Sequence, residues 1–316
     1  MRILVFGGTG YIGSHVAARL VADGHIVTGF ARNAEGARTI EAGGGRPSIG
    51  DIGRLDEVIA LLQEQDAVIW IAQLMLDEEQ RVVRTILDAL RGSGKTFIFT
   101  SGTSLLSERT DGEWSENTYS EDDAFVPRKQ IAPRLAIENL VREAGNRGIR
   151  AMVVRPPLVW GHGGSKVISD LYHSARVTGA VCYVGRGLNL YSNVHVEDLA
   201  DLFSRAIDRG VAGALYHAVA GETNYRTMAE RIARELGVAS RSITVAEAID
   251  LWDKFTGPIV FSSCSRTRSR RARAELGWRP SPVHSDILEE CANPAYASEG
   301  PRALPAHVRA DAQHMA

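Results

Sequence analysis

The chain contains few cysteines. Only Cys182, Cys264 and Cys291 occur among its 316 residues, and they stand far apart without a CxxC pair. Zinc sites built on cysteine and disulfide frameworks need characteristic cysteine spacings, so neither is predicted. A reducing compartment is expected.

An excess of basic charge and long apolar runs are also absent. Lys and Arg number 36 against 38 Asp and Glu, which gives a net charge of -2. Such a surface does not favour nucleic acid as a partner, and a small-molecule ligand is expected instead. No apolar stretch approaches the length of a membrane span, and the run after Arg2 is too short for a signal peptide. The sequence predicts a cytoplasmic protein with no membrane partner.

Short β-branched runs alternate with helical periodicity in the first half of the chain. The predicted strands are residues 3–6, 26–30, 67–71 and 97–100, and the helices between them are 12–22, 55–63 and 78–90. Later segments predict a helix at 131–144, a strand at 151–154, and helices at 198–209 and 227–236. Because strands and helices alternate, we expect a doubly wound α/β fold whose parallel sheet is covered on both faces.

A glycine-rich segment lies directly between the first predicted strand and an amphipathic helix. It reads Gly7-Gly8-Thr9-Gly10-Tyr11-Ile12-Gly13. In this context the first glycine permits a tight turn, the second lets the backbone approach a pyrophosphate, and the third lets the helix pack on the strand. The anion then meets the N–H groups of the helix N-terminus. A turn without a ligand is the alternative, but the context favours a dinucleotide-binding Rossmann unit.

The end of the second strand bears on which dinucleotide is bound. NAD-specific proteins usually place a carboxylate there for the ribose 2′-hydroxyl, whereas this chain has Ala31 and then Arg32. A guanidinium can bind a 2′-phosphate or stack on adenine, so NADP(H) is predicted over NAD, with a solvated arginine as the alternative. Asp51 is expected near the adenine amino group or, alternatively, in a plain turn.

Loops rich in Gly, Pro and Trp begin at about Pro156 and suggest a smaller lobe above the sheet. We therefore predict a dinucleotide-binding domain over 1–155 and a substrate lobe with late sheet elements over 156–292. Residues 293–316 are mostly Ala, Pro, Ser and charged types without periodicity. A poorly ordered tail is expected there.

Several segments together resemble the extended (atypical) short-chain dehydrogenase/reductase superfamily, which includes the NAD-dependent epimerases and dehydratases. They are residues 7–15, 50–52, 66–72, 99–103, 155–161, 194–200 and 276–278. The resemblance spans the chain to about Pro282 and implies a Rossmann domain with a small substrate lobe. Beyond the glycine turn and Arg32, it extends the expected cofactor contacts to Asp51, Ile52, Ala72, Gln73, Leu74, Thr100, Arg134, Pro157 and Val159.

The resemblance also implies a catalytic tyrosine with a lysine four residues later, and here the chain departs from the family. Glu138 matches an acidic residue that follows the lysine by four positions in many members. Arg134 therefore stands at the lysine position and Gln130 at the tyrosine position. Gln130 has no proton to give, and Arg134 stays protonated at any working pH. Arg134 can still hold the nicotinamide ribose.

A serine or threonine hydroxyl is implied at the end of the fourth predicted strand, and the match there is Gly102. Thr103 and Ser104 are close enough to replace it. The proton donor or acceptor is therefore sought among Ser104, Tyr119, Tyr191 and His195. We predict that Ser104 or Tyr191 acts on the substrate and that Arg134 fixes the cofactor.

Three functions remain open. The first is NADP(H)-dependent oxidoreduction of a small organic carbonyl or alcohol, which is favoured because apolar and aromatic residues are frequent around the predicted pocket. The second is a non-redox epimerisation, dehydration or isomerisation that uses the cofactor transiently. The third is a catalytically silent NADP(H)-sensing protein.

The predicted substrate pocket contains aromatic rings that suit a flat or apolar small molecule. Its expected residues are Met75, Thr103, Trp160, Tyr191, His195 and Arg268, with Trp114 in a nearby loop. Core packing is the alternative for the aromatic rings, a structural role at the lobe interface for His195, and a solvated surface for Arg268. Asp198 is expected to cap the following helix.

The histidines of the sequence do not indicate a metal site. His162 shows no convincing ligand spacing with His173 or His195, so no metal is predicted. By analogy with the family, a homodimer is possible through the predicted helices 78–90 and 131–144.

Overall fold

The computed structural model describes residues 1–284 and 286–298. Its strands are β1 Arg2–Phe6, β2 Ile26–Ala31, β3 Arg46–Ile49, β4 Ala67–Trp70, β5 Thr96–Thr100, β6 Glu108–Arg109, β7 Arg150–Arg155, β8 Leu158–Trp160, β9 Ala180–Val184, β10 Leu190–His195, β11 Leu215–His217, β12 Gly221–Asn224, β13 Ala239–Ile243 and β14 Ser263–Cys264. Its α-helices are α1 Tyr11–Ala22, α2 Ala34–Ala42, α3 Leu55–Gln63, α4 Leu76–Ala89, α5 Ala132–Ala144, α6 Lys166–Thr178, α7 Val196–Arg209, α8 Tyr225–Leu236, α9 Val245–Leu251, α10 Arg270–Glu275, α11 Ile287–Glu290 and α12 Ala295–Ser298. Short 3₁₀ turns at Thr103–Leu106, Gly145–Arg147 and Pro282–His284 and a π-helical turn at Thr256–Phe261 complete the secondary structure.

Seven parallel strands form the central sheet in the order β11-β7-β5-β4-β1-β2-β3. Side chains alternate across this sheet, so Ile3 and Val5 pack with α1 and α7 on one face. Leu4 and Phe6 pack with α3, α4 and α5 on the other face. The predicted doubly wound α/β fold is confirmed, and the predicted strands and helices match the observed ones to within a few residues.

The direction in which strands are added reverses at β1, which lies between β2 and β4. The loops that follow these strands therefore separate to opposite sides. In open parallel sheets ligands bind at the carboxyl ends of the strands beside such a switch point. The turn after β1 and the loops after β4 and β5 meet at this edge.

A smaller lobe is formed mainly by residues beyond β7, together with β6, and contains three short sheets, ordered β12-β10-β8, β13-β9 and β14-β6. Large side chains form its core, including Trp160, Tyr172, Tyr225 and Phe261. The chain also returns to the central sheet, because β11 pairs with β7 and α7 packs with α1. These are the late sheet elements expected within 156–292.

The end of the described chain differs in part from the predicted tail. Residues 295–298 form α12, and the Tyr296 ring is fully buried and stacks on Tyr172. Tyr296 thus packs this short helix on the lobe, within a stretch that the sequence predicts to be a poorly ordered tail. The rest of the predicted tail, 299–316, lies outside the described residues.

The outer surface of α4 carries Asp77, Arg81, Arg84 and Asp88, which are all exposed. No large apolar side chain is exposed on α4 or α5 in the described structure. Nothing in these two helices favours the predicted dimer, which stays a prediction. Within residues 1–284 and 286–298, no helix combines the length and apolar character needed to cross a membrane.

Candidate functional site

The turn after β1 has space for a ligand but not for side chains. Gly7 has φ +86°, and a Cβ there would lie 2.7 Å from the Ala72 nitrogen. A Cβ on Gly13 would lie 2.0 Å from the Gly7 carbonyl oxygen. A Cβ on Gly10, in contrast, would have only the Gly7 oxygen as a close neighbour, at 3.4 Å, so this position faces open space. Helix α1 starts after Gly10 with no side-chain cap and no acidic residue in its first turn, which suits an anion.

Arg32 follows directly after β2 and is exposed, whereas Ala31 is buried. Within the described part of the chain Arg32 forms no ion pair, so its guanidinium is available to a ligand. Asn33 caps α2 by accepting a hydrogen bond from Gly36. Asp51 is exposed, and its Oδ1 accepts from the Gly53 N–H at 2.9 Å. This contact is the turn named above as the alternative for Asp51.

Hydroxyl groups without partners lie at the end of β5. Among the described residues, Thr100 Oγ1 and Ser101 Oγ are buried and have no hydrogen-bond partner in the protein. Buried polar groups are normally paired, so these two fit a site that a polar ligand completes. Of the other expected cofactor contacts, Ile52, Ala72, Leu74, Pro157 and Val159 are half-buried and Gln73 is exposed. The glycine turn and these hydroxyls together fit a bound dinucleotide.

Ser104 lies beside the position where the family places a serine or threonine. A Cβ built on Gly102 would be 3.6 Å from Ser104 Oγ. Ser104 belongs to the 3₁₀ turn Thr103–Leu106 and is half-buried, while Thr103 is buried. The structure therefore brings the Ser104 hydroxyl close to the place left empty by Gly102.

Arg134 occupies the first turn of α5 and is held by a buried acid. Its Nη1 donates to Glu79 Oε2 at 2.6 Å, and Glu79 Oε1 accepts from Trp70 Nε1 at 2.9 Å. Glu79 is completely buried, and burial raises the pKa of its carboxyl against the opposing effect of Arg134. The Arg134 guanidinium also lies 5.5 Å from the Phe99 ring centre. Sequence reasoning missed Glu79, which stands 55 positions before Arg134.

A second buried pair lies one turn further along α5. Arg155, at the end of β7, donates from Nε to Glu138 Oε1 at 2.9 Å, and both side chains are almost fully buried. The Arg155 Nη1 also lies 3.4 Å from His217 Nε2. Gln130, at the expected tyrosine position, is exposed just before α5. None of the eight tyrosines in the chain is followed by a lysine four positions later.

Two aromatic residues expected in the pocket lie in the lobe core instead. Trp160 is 5% exposed, and its Nε1 donates to Asn193 Oδ1 at 2.9 Å. Tyr191 is 8% exposed, and burial raises the pKa of its phenol to about 12. Trp160 thus has the core packing named above as the alternative, and its pocket-lining role stays a prediction. The environment of Tyr191 disfavours its predicted role as proton donor.

Other predicted side chains have protein partners. Tyr119 donates to Glu108 Oε1 at 2.6 Å, and this bond raises the pKa of the phenol to about 12. Trp114 is exposed and lies under the Arg266 guanidinium. Arg268 pairs with Glu222 at 3.1 Å, as does Arg266. Met75 is the residue directly before α4 and is half-buried.

His195 has a structural role at the start of α7. Its Nδ1 accepts a hydrogen bond from the Glu197 N–H at 3.2 Å, which makes His195 the helix cap. The cap predicted at Asp198 is wrong, because this carboxylate accepts from the Ser281 N–H instead. Burial, with His284 and His162 nearby, lowers the pKa of His195 to about 4. The ring is 6% exposed, which does not support its predicted place in the pocket.

A family model described as the NAD dependent epimerase/dehydratase family matches residues 3–220. The chain belongs to this family. Its members bind a nicotinamide cofactor, and the glycine turn and the unpartnered hydroxyls are compatible with such a ligand.

Individual relatives agree with this assignment. An uncharacterized protein of Schizosaccharomyces pombe is 32% identical over 94% of this chain and all of its own length. A Stigmatella aurantiaca enzyme, 4-hydroxy-2-methyl-3-oxo-4-farnesyl-3,4-dihydroquinoline-1-oxide ketoreductase, is 25% identical over 70% of this chain and 69% of its own. A 2-alkyl-3-oxoalkanoate reductase of Stenotrophomonas maltophilia is 26% identical over 63% of each chain.

Solved structures share the fold at low identity. dTDP-glucose 4,6-dehydratase from Bacillus anthracis, in complex with NAD, has a TM-score of 0.73 and 15% identity, covering 92% of this chain and 95% of its own. UDP-glucose 4-epimerase from Thermotoga maritima, with UDP-glucose, has a TM-score of 0.71 and 17% identity, covering 94% and 98%. At 15–17% identity these two structures show a shared fold.

Proposed function

We propose that this chain is an NADP(H)-dependent oxidoreductase that acts on a small organic carbonyl or alcohol without the family's tyrosine and lysine. The observation that carries the catalytic part is the position of Ser104, whose Oγ lies 3.6 Å from where a Gly102 side chain would begin. A hydroxyl near the end of β5 suits binding of a substrate oxygen. The names of the two reductases among the relatives support a carbonyl substrate.

The preference for NADP(H) rests on the end of β2. Ala31 provides no carboxylate there, and Arg32 is exposed and forms no ion pair among the described residues. A guanidinium binds a phosphate by charge-assisted hydrogen bonds, which a 2′-hydroxyl cannot match. The neighbouring structures that contain NAD are 15–20% identical to this chain and support the fold only.

The side chains of the proposed site have distinct tasks. A bound nicotinamide supplies or accepts the hydride. Arg134, fixed by Glu79, would hold the cofactor ribose, and Thr100 and Ser101 would pair their buried hydroxyls with the ligand. Ser104 is half-buried, so its hydroxyl can donate to the substrate oxygen while exchanging its proton with water. Tyr191 has no part in this arrangement.

The proposal is tested by following NADPH oxidation with a panel of carbonyl compounds, starting with 3-oxo acids and aromatic ketones. At least one should be reduced, and Ser104→Ala should lower kcat by about 100-fold or more, since positioned acid–base groups contribute that much. Ser107→Ala is the control, because it removes a nearby serine hydroxyl that has no part in the proposed site.

The other two functions are separate outcomes of the same experiment. Tight NADPH binding without turnover on any compound would indicate a sensor. A rearranged or dehydrated product without net NADPH oxidation would indicate a non-redox epimerase, dehydratase or isomerase. An equal kcat for Ser104→Ala and Ser107→Ala would remove Ser104 from the mechanism.

A further inference from the structure

Three side chains from separate elements converge where the glycine turn meets the lobe. They are His15 on α1, His162 in the loop after β8, and Glu197 in the first turn of α7. His15 Nδ1 lies 2.8 Å from Glu197 Oε1, and His162 Nε2 lies 3.1 Å from the same oxygen. One ligand atom from each residue lies within 4.8 Å of the other two. Two imidazole nitrogens and a carboxylate oxygen thus face one point.

The loop that carries His162 is folded to hold the ring there. His162 has φ +54°, a conformation uncommon for a residue with a side chain, and it lies between Gly161 at φ +118° and Gly163 at φ +72°. Its ring stacks on His15 with the centres 5.2 Å apart and the planes 12° from parallel. The Gly163 N–H donates to Glu290 Oε1 at 2.7 Å, which ties the loop to α11.

The donor set matches that of a transition-metal site. Two histidines and one glutamate bind zinc in tetrahedral sites whose fourth position is taken by water. The His162 side chain is 55% exposed and that of Glu197 41%, so solvent can reach the point where the three meet. His15 lies more than 140 positions before both His162 and Glu197 in the sequence, so no local spacing predicts the cluster.

We propose that His15, His162 and Glu197 bind a divalent transition-metal ion of the zinc type. Without an ion, each ring nitrogen facing Glu197 must carry a proton, because a carboxylate only accepts hydrogen bonds. On binding, each of these nitrogens gives its lone pair to the ion, and its proton moves to the other ring nitrogen or to solvent. No redox step is involved.

Such an ion would join the helix that follows the glycine turn to the lobe. Tyr11, one turn before His15 on α1, donates from its hydroxyl to the Gly161 carbonyl at 2.8 Å. The ion would add a second and stronger link between α1 and the same loop, and extend it to α7. It therefore serves to fix the lobe relative to the phosphate-binding turn.

The test uses the full chain without an affinity tag, stripped of metal and titrated with Zn²⁺ in a calorimeter. One Zn²⁺ per chain is expected for the native protein, together with a higher Tm. His162→Asn and Glu197→Gln should each weaken binding by more than about 100-fold, since even outer-shell changes cost 10- to 100-fold. His173→Ala, on α6 and outside the cluster, is the control and should bind as the native chain does.

Asparagine tolerates the left-handed backbone, so His162→Asn should keep the fold, and an equal Tm in EDTA checks this. Co²⁺ provides a second readout, because the absorption bands of a four-coordinate ion should appear with the native chain and not with His162→Asn. Zn²⁺ binding of equal strength by the native chain, His162→Asn and Glu197→Gln would overturn the proposal. Failure of the native chain to bind stoichiometric Zn²⁺ would also overturn it.

Discussion

In the nucleotide-binding half, the predicted site begins with main-chain atoms of a single turn, whereas in the lobe the predicted site residues are side chains whose positions depend on packing. The Gly7–Gly13 turn is defined by contacts within a few residues and with Ala72. Trp160 and Tyr191, in contrast, lie in the lobe core. The backbone geometry of the turn is therefore predictable from the local sequence, whereas the surroundings of these aromatic side chains are not.

One pair in the nucleotide-binding half does depend on long-range packing, and breaking it should give the largest effect. Arg134→Met leaves Glu79 buried without its partner, which is expected to reduce the free energy of unfolding by about 3–5 kcal/mol. Urea denaturation measures this loss. Glu79→Gln combined with Arg134→Met should recover part of it, because no buried charge remains.

Recovery by the double variant separates the ion pair from simple loss of packing. If the double variant is as unstable as Arg134→Met, or if Arg134→Met is as stable as the native chain, the ion pair does not hold α4 and α5 together as described.

The turn itself is tested by Gly13→Ala. The added Cβ would lie 2.0 Å from the Gly7 oxygen, so α1 must shift, at a cost of about 1–3 kcal/mol. NADP(H) affinity should fall by about 10- to 100-fold.

Gly10→Ala should keep the native Tm and still lose affinity for NADP(H), because its Cβ enters only the space of the ligand. Gly43→Ala, where the nearest atom would be 3.5 Å away, is the control.

Calorimetric titration and thermal unfolding separate these cases. The steric account of the turn fails if Gly13→Ala binds the cofactor like Gly43→Ala.

An effect that grows only at low pH is expected where the lobe joins the sheet. Burial, and then the nearby Arg155, lowers the pKa of His217 from 6.5 to about 3. Between these values the unfolded chain binds a proton that the folded chain does not, so stability is lost as the pH falls from about 6.5 towards 3. We expect the free energy of unfolding, measured by urea denaturation, to fall less steeply with decreasing pH in His217→Gln than in the native chain. The two slopes should differ by up to about 1.4 kcal/mol per pH unit.

Above pH 7 the free energies of unfolding of the native chain and of His217→Gln should change with pH in parallel. Identical slopes for the native chain and His217→Gln at low pH would show that this histidine does not stay neutral in the folded state.

How much the sequence could predict follows from the range of each interaction. Periodicity and the glycine turn are local, so the sheet and the place of the glycine turn between β1 and α1 follow closely from the sequence. Glu79 was missed because its partner Arg134 is distant in sequence. The cap of α7 was assigned to Asp198 rather than His195, because the first helical residue is set by tertiary contacts. Tyr296 has no periodic neighbours, and only the fold shows that Tyr172 stacks on it.

The central claim is that the Gly7–Gly13 turn and Arg32 together hold NADP(H). The most direct measurement is a calorimetric titration of the native chain and Arg32→Asp with NADPH and NADH, with Arg38→Asp, an exposed arginine on α2, as the control. The account predicts that the native chain and Arg38→Asp bind NADPH at least about tenfold more tightly than NADH, and that Arg32→Asp loses this preference. Unchanged NADPH affinity in Arg32→Asp, or a native chain that prefers NADH, would contradict it.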